Sequence, residues 1–182
     1  MFFLLSIFLT ANGVYAVFER FEESYHVNIF RGFFPQYLFS IFVAILLGFL
    51  FLFSVAIFVF FELYFIQNLS ELSSKIDWIR YGQLILYILA TYISVAILYY
   101  FGTIEGKKAR FFSPGAFMTT ILIAMTTKLF GIYITYFSSY NQLYGSIGAI
   151  LILMFYIWLN SIILLLGFEL NATLTRFKKR DK

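Results

Sequence analysis

Long apolar runs that carry no charge constrain this sequence more than any other feature. Residues 32–61 and residues 81–104 each contain no Asp, Glu, Lys or Arg. A helix that crosses a bilayer needs about 20 predominantly apolar residues. These runs are therefore long enough to span a membrane, and they greatly exceed the strands of an ordinary soluble domain.

The composition excludes a soluble protein. Hydrophobic residues make up 62% of the 182 residues and charged residues only 12%, whereas soluble domains carry about 25% charged residues. So few charges cannot cover a surface that faces water, and so apolar a chain is not disordered. The sequence has no cysteine and one histidine, so we predict neither a metal site nor a cofactor.

The runs predict helices because residues 41–61 are apolar at nearly every position, whereas the strands of a membrane barrel alternate between apolar and polar residues. We therefore predict an all-α fold, a polytopic transmembrane helix bundle forming a single membrane domain over residues 1–182. Its five predicted spans are about 1–18, 37–62, 81–104, 114–137 and 143–168, and residues 169–182 form a basic cytoplasmic tail.

Basic residues predict the orientation of the bundle. Of the 13 Lys and Arg residues, ten fall on the side of the C-terminus, two on the other side, and Lys128 lies inside a span. Cytoplasmic connections carry the excess of basic residues, so we predict that the C-terminus lies in the cytoplasm. Five spans would then place Met1 outside, and we expect one more helix upstream of it.

Residues at the span ends give local signals. Ser113 followed by Pro114 is typical of a helix start, with serine as the N-cap and proline at the first helical position. Tyr81, Tyr99 and Tyr133 lie near predicted span ends, where aromatic rings favour the headgroup level. We interpret these rings as parts of aromatic belts.

Lys128 is the main candidate for chemistry within the membrane. It lies about 21 Å along its predicted helix, where a lysine costs about 2.5–3.5 kcal/mol on insertion scales. One interpretation is a contact with an anion or a lipid headgroup in a pathway. The alternative is a structural ion pair, with Glu62 as the partner, or a lysine that extends towards the interface.

Other polar or small residues give weaker signals. Asn160 lies deep in the last span, where it either bonds neighbouring helices or contacts a substrate. Glu169 and Asn171 lie where this span meets the cytoplasm, and Glu169 either anchors the helix end or gates an inner opening. A group of small residues predicts close helix packing near the other end of the span: Gly145, Ser146, Gly148 and Ala149.

We expect membrane lipids to be the principal partners. The basic tail is suited to anionic lipid, at about 1 kcal/mol for each basic residue near the surface, and it is too short to predict binding of nucleic acid. A second copy of the chain or another membrane protein stays open as a further partner. The basic residues of the tail are Arg176, Lys178, Lys179, Arg180 and Lys182.

Two segments carry a resemblance to a known family. Residues 144–149, Trp158 and residues 167–172 resemble the closing signature of the YihY/BrkB family of bacterial inner-membrane proteins, and residues 113–116 with 128–130 resemble the start and middle of its preceding helix. The resemblance implies six spans with both termini in the cytoplasm. Members carry the labels ribonuclease or virulence factor.

Three hypotheses for function follow. The leading one is a non-enzymatic membrane protein with a transporter-like or lipid-handling function. The second is a structural scaffold that binds other membrane proteins. The third, a ribonuclease, rests only on the family label, because the sequence offers neither a catalytic set of side chains nor a cluster of metal ligands.

Overall fold

The structure, a computed structural model, describes residues 2–23, 32–68, 75–103, 111–137 and 141–180, and the regular structure within them is helical. The prediction of an all-α bundle is therefore confirmed. Each helix packs on the next along the chain, and the first also contacts the third and the fifth. The helices are α1 (Phe2–Glu22), α2 (Phe33–Asn68), α3 (Lys75–Gly102), α4 (Pro114–Phe137) and α5 (Asn141–Arg180).

Within the described residues, four helices rather than five are long and apolar enough to cross a membrane, so the predicted number of spans is wrong. The helix outside this set is α1. Its described apolar residues, from Phe2 to Phe18, cover about 25 Å at 1.5 Å per residue, compared with a hydrocarbon core about 30 Å thick. The four candidate spans are Phe33–Leu63, Tyr81–Gly102, Pro114–Thr135 and Gly148–Phe177.

The last helix is longer than the predicted span. It continues from Asn141 to Arg180 without a break, so residues 169–180 of the predicted tail are helical. Its 40 residues correspond to about 60 Å, twice the thickness of the hydrocarbon core. Part of α5 must therefore extend beyond the membrane or lie at a steep tilt.

Burial is confined to one end of the bundle. We call this the packed end, and its residue ranges contain every buried side chain that the structure describes: 11–22, 36–44, 95–103, 113–120 and 163–171. No side chain is buried in the four ranges that make up the opposite, open end: 45–63, 81–94, 121–135 and 148–162. Close packing of the four candidate spans is thus confined to one end of the bundle.

Small residues and one phenylalanine explain the close packing. Buried Ala44, Ala96 and Ala116 bring few atoms between the helices, which lets the backbones approach. Phe21 of α1 stacks on Phe168 of α5, with ring centres 4.4 Å apart. A Cβ at Gly102 of α3 would lie 2.6 Å from the Phe21 ring. The ring of Phe21 therefore fills the space between three helices.

Candidate functional site

Asn171 joins α5 to the beginning of α4 at the packed end. Its Oδ1 accepts a hydrogen bond from the backbone N–H of Gly115 at 2.8 Å. Its Nδ2 donates to Ser113 Oγ, also at 2.8 Å. Asn171 is only 8% exposed, so both ends of its amide are used in a site that excludes solvent.

The first turn of α4 has its backbone donors satisfied by this arrangement. A helix begins with N–H groups that have no partner within the helix. Pro114 has no N–H, Gly115 donates to Asn171, and Ala116 donates to Ser113 Oγ at 3.3 Å. The prediction that Ser113 is the N-cap is confirmed, and Asn171 acts as a second cap supplied by another helix.

Two glycines make the contact between α4 and α5 very close. A Cβ at Gly115 would collide with the carbonyl oxygen of Gly167 and would lie 2.6 Å from Asn171 Cγ. A Cβ at Gly167 would collide with Thr119 Oγ1. Only glycine leaves room at these two positions, since any other residue adds a carbon where the neighbouring helix already lies.

Tyr99 of α3 forms hydrogen bonds with both α4 and α5, about one helical turn further along α4 than Gly115. Its hydroxyl donates to the carbonyl oxygen of Leu164 at 2.7 Å and lies 2.6 Å from Thr119 Oγ1. A tyrosine hydroxyl has one proton, so Thr119 is the donor in the second bond. The interpretation of Tyr99 as part of an aromatic belt is wrong, because its side chain is 5% exposed.

A second group of polar side chains connects the same three helices at the open end. Tyr87 of α3 donates to Thr127 Oγ1 of α4 at 3.2 Å, and Thr127 lies 2.8 Å from the hydroxyl of Tyr156 on α5. Asn160 donates from Nδ2 to the Tyr156 carbonyl at 2.8 Å. Its Oδ1 is buried and has no hydrogen-bond partner within the described structure.

These groups form two clusters at successive levels of the interface of α3, α4 and α5, which together we call the polar column. From Ser113 to Thr127 the column covers about 21 Å of α4, at 1.5 Å per residue, which is most of the hydrocarbon thickness. The members of the polar column are Tyr87, Tyr99, Ser113, Thr119, Thr127, Tyr156, Asn160 and Asn171.

Lys128 lies outside the polar column. It is exposed, and it is nine residues from buried Thr119, which places it about 180° around α4 from the packed face. Glu62 is half-buried near the end of α2, and α3 packs on both α2 and α4. In the part of the chain that the structure describes, no ion pair joins Lys128 to Glu62.

The remaining predicted residues lie on α5. Glu169 is half-buried at the packed end, two residues before Asn171. Gly145 and Ser146 belong to the first turns of the helix, and their burial lies outside what the structure describes. Gly148 is half-buried and Ala149 is exposed. The predicted packing role of the small residues and the role of Glu169 stay predictions.

Sequence reasoning found Asn160 and Asn171 but missed most of their partners. Thr119, Gly115 and Gly167 were not predicted as contacts, because each residue type is common in membrane helices, and Tyr99 was assigned to an aromatic belt. The signal that could have found them is the pair of motifs at 113–116 and 167–172, since two motifs of glycine and hydrogen-bonding residues on successive helices indicate a close contact.

Comparison with known proteins agrees with these motifs. The family described as virulence factor BrkB matches residues 1–182. The ribonuclease-like protein YfkH of Bacillus subtilis (strain 168) is 30% identical over 186 residues, which cover 97% of this chain and 65% of YfkH. The UPF0761 membrane protein YihY of Salmonella typhimurium is 34% identical over 110 residues, 60% of this chain and 37% of YihY. No solved structure matches the chain.

The family match covers the whole chain, although the chain spans less than two thirds of the length of YfkH and YihY. The four candidate membrane spans agree with the description of YihY as a membrane protein. Two of the motifs that carry the resemblance, residues 113–116 and 167–172, meet at Gly115 and Asn171. The chain belongs to the BrkB family of bacterial membrane proteins.

Proposed function

We propose that this membrane protein is a non-enzymatic, transporter-like or lipid-handling protein whose pathway follows the polar column. One observation carries the proposal: hydroxyl and amide side chains line the interface of three helices over about 21 Å of α4. Polar side chains within a bilayer are costly unless they bond neighbouring helices or line a pathway. Transporters place such groups near the bilayer midplane between helices.

The uneven packing of the bundle supports the same proposal. At the packed end, Asn171 and Tyr99 bond all of their polar atoms to neighbouring helices. Buried polar atoms without a partner within the described residues occur at both ends, on the amide of Gln36 at the packed end and at Oδ1 of Asn160 near the open end, whereas buried side chains are confined to the packed end. This arrangement is suited to a pathway that is accessible from the open end and closed at the packed end.

Reconstitution into liposomes tests the proposal. We expect the purified protein to increase the movement of labelled phospholipid or of an anion across the bilayer relative to empty liposomes. Asn160→Leu should reduce this movement strongly, because it removes the unpartnered acceptor. Ser161→Leu is the matched control, since Ser161 is exposed and bonds only to its own helix. The proposal fails if the wild-type protein moves neither lipid nor anion.

Two further variants separate the candidate cargoes. Lys128 faces the surroundings of the bundle rather than the polar column, so it is placed to contact a lipid phosphate. Lys128→Met should therefore reduce lipid movement and leave anion flux unchanged. Glu169→Gln tests the gating hypothesis at the packed end, where removal of the charge should change the rate for every cargo.

A scaffold function is a second candidate, favoured by the exposure of α2. Residues 51–53 and 55–59 are exposed at successive positions, so much of the surface of this part of the helix is not covered by the rest of the described chain. A partner protein could cover this surface. Crosslinking in cells followed by mass spectrometry should then show a stoichiometric partner attached through α2, and no such partner is expected for a transporter that acts alone.

We also propose that the protein lies in the bacterial inner membrane with its C-terminus in the cytoplasm. The support is the excess of basic residues in the connections on that side and in the final segment. The same segment is suited to contact anionic lipid. A reporter fused after Lys182 should be active only in the cytoplasm, and activity in the periplasm would reverse the orientation.

A further inference from the structure

A groove of about 580 Å³ lies between α4 and α5 at the open end of the bundle. Six of the eight side chains along its walls are apolar, and the other two carry hydroxyl groups. The lining residues are Thr126, Leu129, Phe130 and Tyr133 of α4 and Leu151, Ile152, Phe155 and Leu159 of α5.

The lining residues define the direction and depth of the groove. The wall formed by α4 extends about 10 Å, from Thr126 to Tyr133, and the wall formed by α5 extends about 12 Å, from Leu151 to Leu159. Both helices are candidate membrane spans, so the groove runs along the bilayer normal. It begins at the open end, near the last residues of α4, and ends near the middle of the bilayer.

The position and lining of the groove decide what can fill it. Its walls belong to two candidate membrane spans and are mainly apolar. Water is not held in an apolar groove without polar partners, whereas the material that surrounds a membrane span at this depth is the hydrocarbon of the lipid chains.

We propose that this groove binds one acyl chain of a phospholipid. The ester end of the chain lies at the level of Tyr133, because tyrosine favours the depth where apolar and polar regions meet, and the methyl end lies near Leu159. The site is distinct from the Lys128 contact, since Lys128 lies about 160° around α4 from Thr126. Binding here requires no transport, so the inference stands apart from the proposed function.

Photolabelling tests the site in intact protein. The protein is reconstituted into phosphatidylcholine vesicles that contain a trace of phospholipid with a diazirine near the methyl end of one acyl chain. After illumination, mass spectrometry locates the attached lipid. We expect the lining residues to be labelled about tenfold more than exposed residues 51–53 of α2, a ratio that corresponds to a preference of about 1.4 kcal/mol.

Two substitutions of the same kind provide the comparison. Thr126→Phe fills the deep end of the groove and should reduce labelling to the level of α2. Thr135→Phe should leave labelling unchanged, because Thr135 is exposed and lies about 180° around α4 from Thr126. If Thr126→Phe does not fold by circular dichroism, Ile152→Phe fills the opposite wall, with Leu153→Phe as its control.

The results discriminate a bound lipid from lipid that merely surrounds the helices. Equal labelling of α2 and the groove would overturn the inference, and so would excess labelling that survives a filling substitution in folded protein. Loss of the excess in Thr126→Phe or Ile152→Phe, with retention in the two controls, would support it. These outcomes do not depend on whether the liposome assay detects movement of any cargo.

Discussion

Gly167 offers the sharpest test of how the helices are held together. The substitution Gly167→Ala would place a Cβ against Thr119 Oγ1, the backbone of Gly115 and the hydroxyl of Tyr99. Thr119 is fully buried and Tyr99 is 5% exposed, so neither side chain can move aside into free space. The added methyl group must push α4 away from α5 or break the bond between Tyr99 and Thr119.

The expected loss follows from three effects. Overpacking a filled core typically costs about 1–3 kcal/mol, and a hydrogen bond between membrane helices contributes about 0.6 kcal/mol on average. Replacement of a glycine within a helix by alanine gains about 0.5–1 kcal/mol. Since the clash involves a backbone and two buried side chains, we expect a net loss of about 2 kcal/mol.

A detergent titration that follows helix content by circular dichroism measures this difference in the free energy of unfolding. Gly131→Ala is the matched control, because a Cβ at Gly131 has no neighbour within 4 Å. We expect it to gain about 0.5–1 kcal/mol, so the two substitutions have opposite signs. A Gly167→Ala protein as stable as the wild type would refute the close contact between α4 and α5.

Three further substitutions test the site in other ways. Asn171→Leu leaves the buried N–H of Gly115 without its acceptor and should lower the unfolding free energy by about 1–3 kcal/mol in the same titration; an unchanged value would contradict the cap. Ser113→Ala removes the N-cap of α4 and should cost about 1 kcal/mol. Lys128→Met should favour insertion of α4 by about 2.5–3.5 kcal/mol in a translocon assay, and any loss of bundle stability would count against the outward placement of Lys128.

Particular residues show where sequence reasoning succeeded and where it failed. Asn171 was recognised as polar at a helix end, but its partners lie 56 and 58 residues away along the chain, which no local pattern reports. Tyr99 was misread because a tyrosine near a span end has the same local sequence whether its ring faces a headgroup or another helix. The first helix was miscounted because its apolar run is close to the length limit for a span.

The sequence by itself determined that the chain is helical and lies in a membrane, because uninterrupted apolar runs satisfy their backbone only as helices in hydrocarbon. It also determined the start of α4 at Pro114, since a cap depends on neighbouring residues. Only the tertiary structure decided which helix faces meet. Hydropathy is nearly uniform around each span, so it does not indicate which face of a helix contacts lipid and which contacts another helix. Glycines and hydroxyl groups that fit together across the interface determine this.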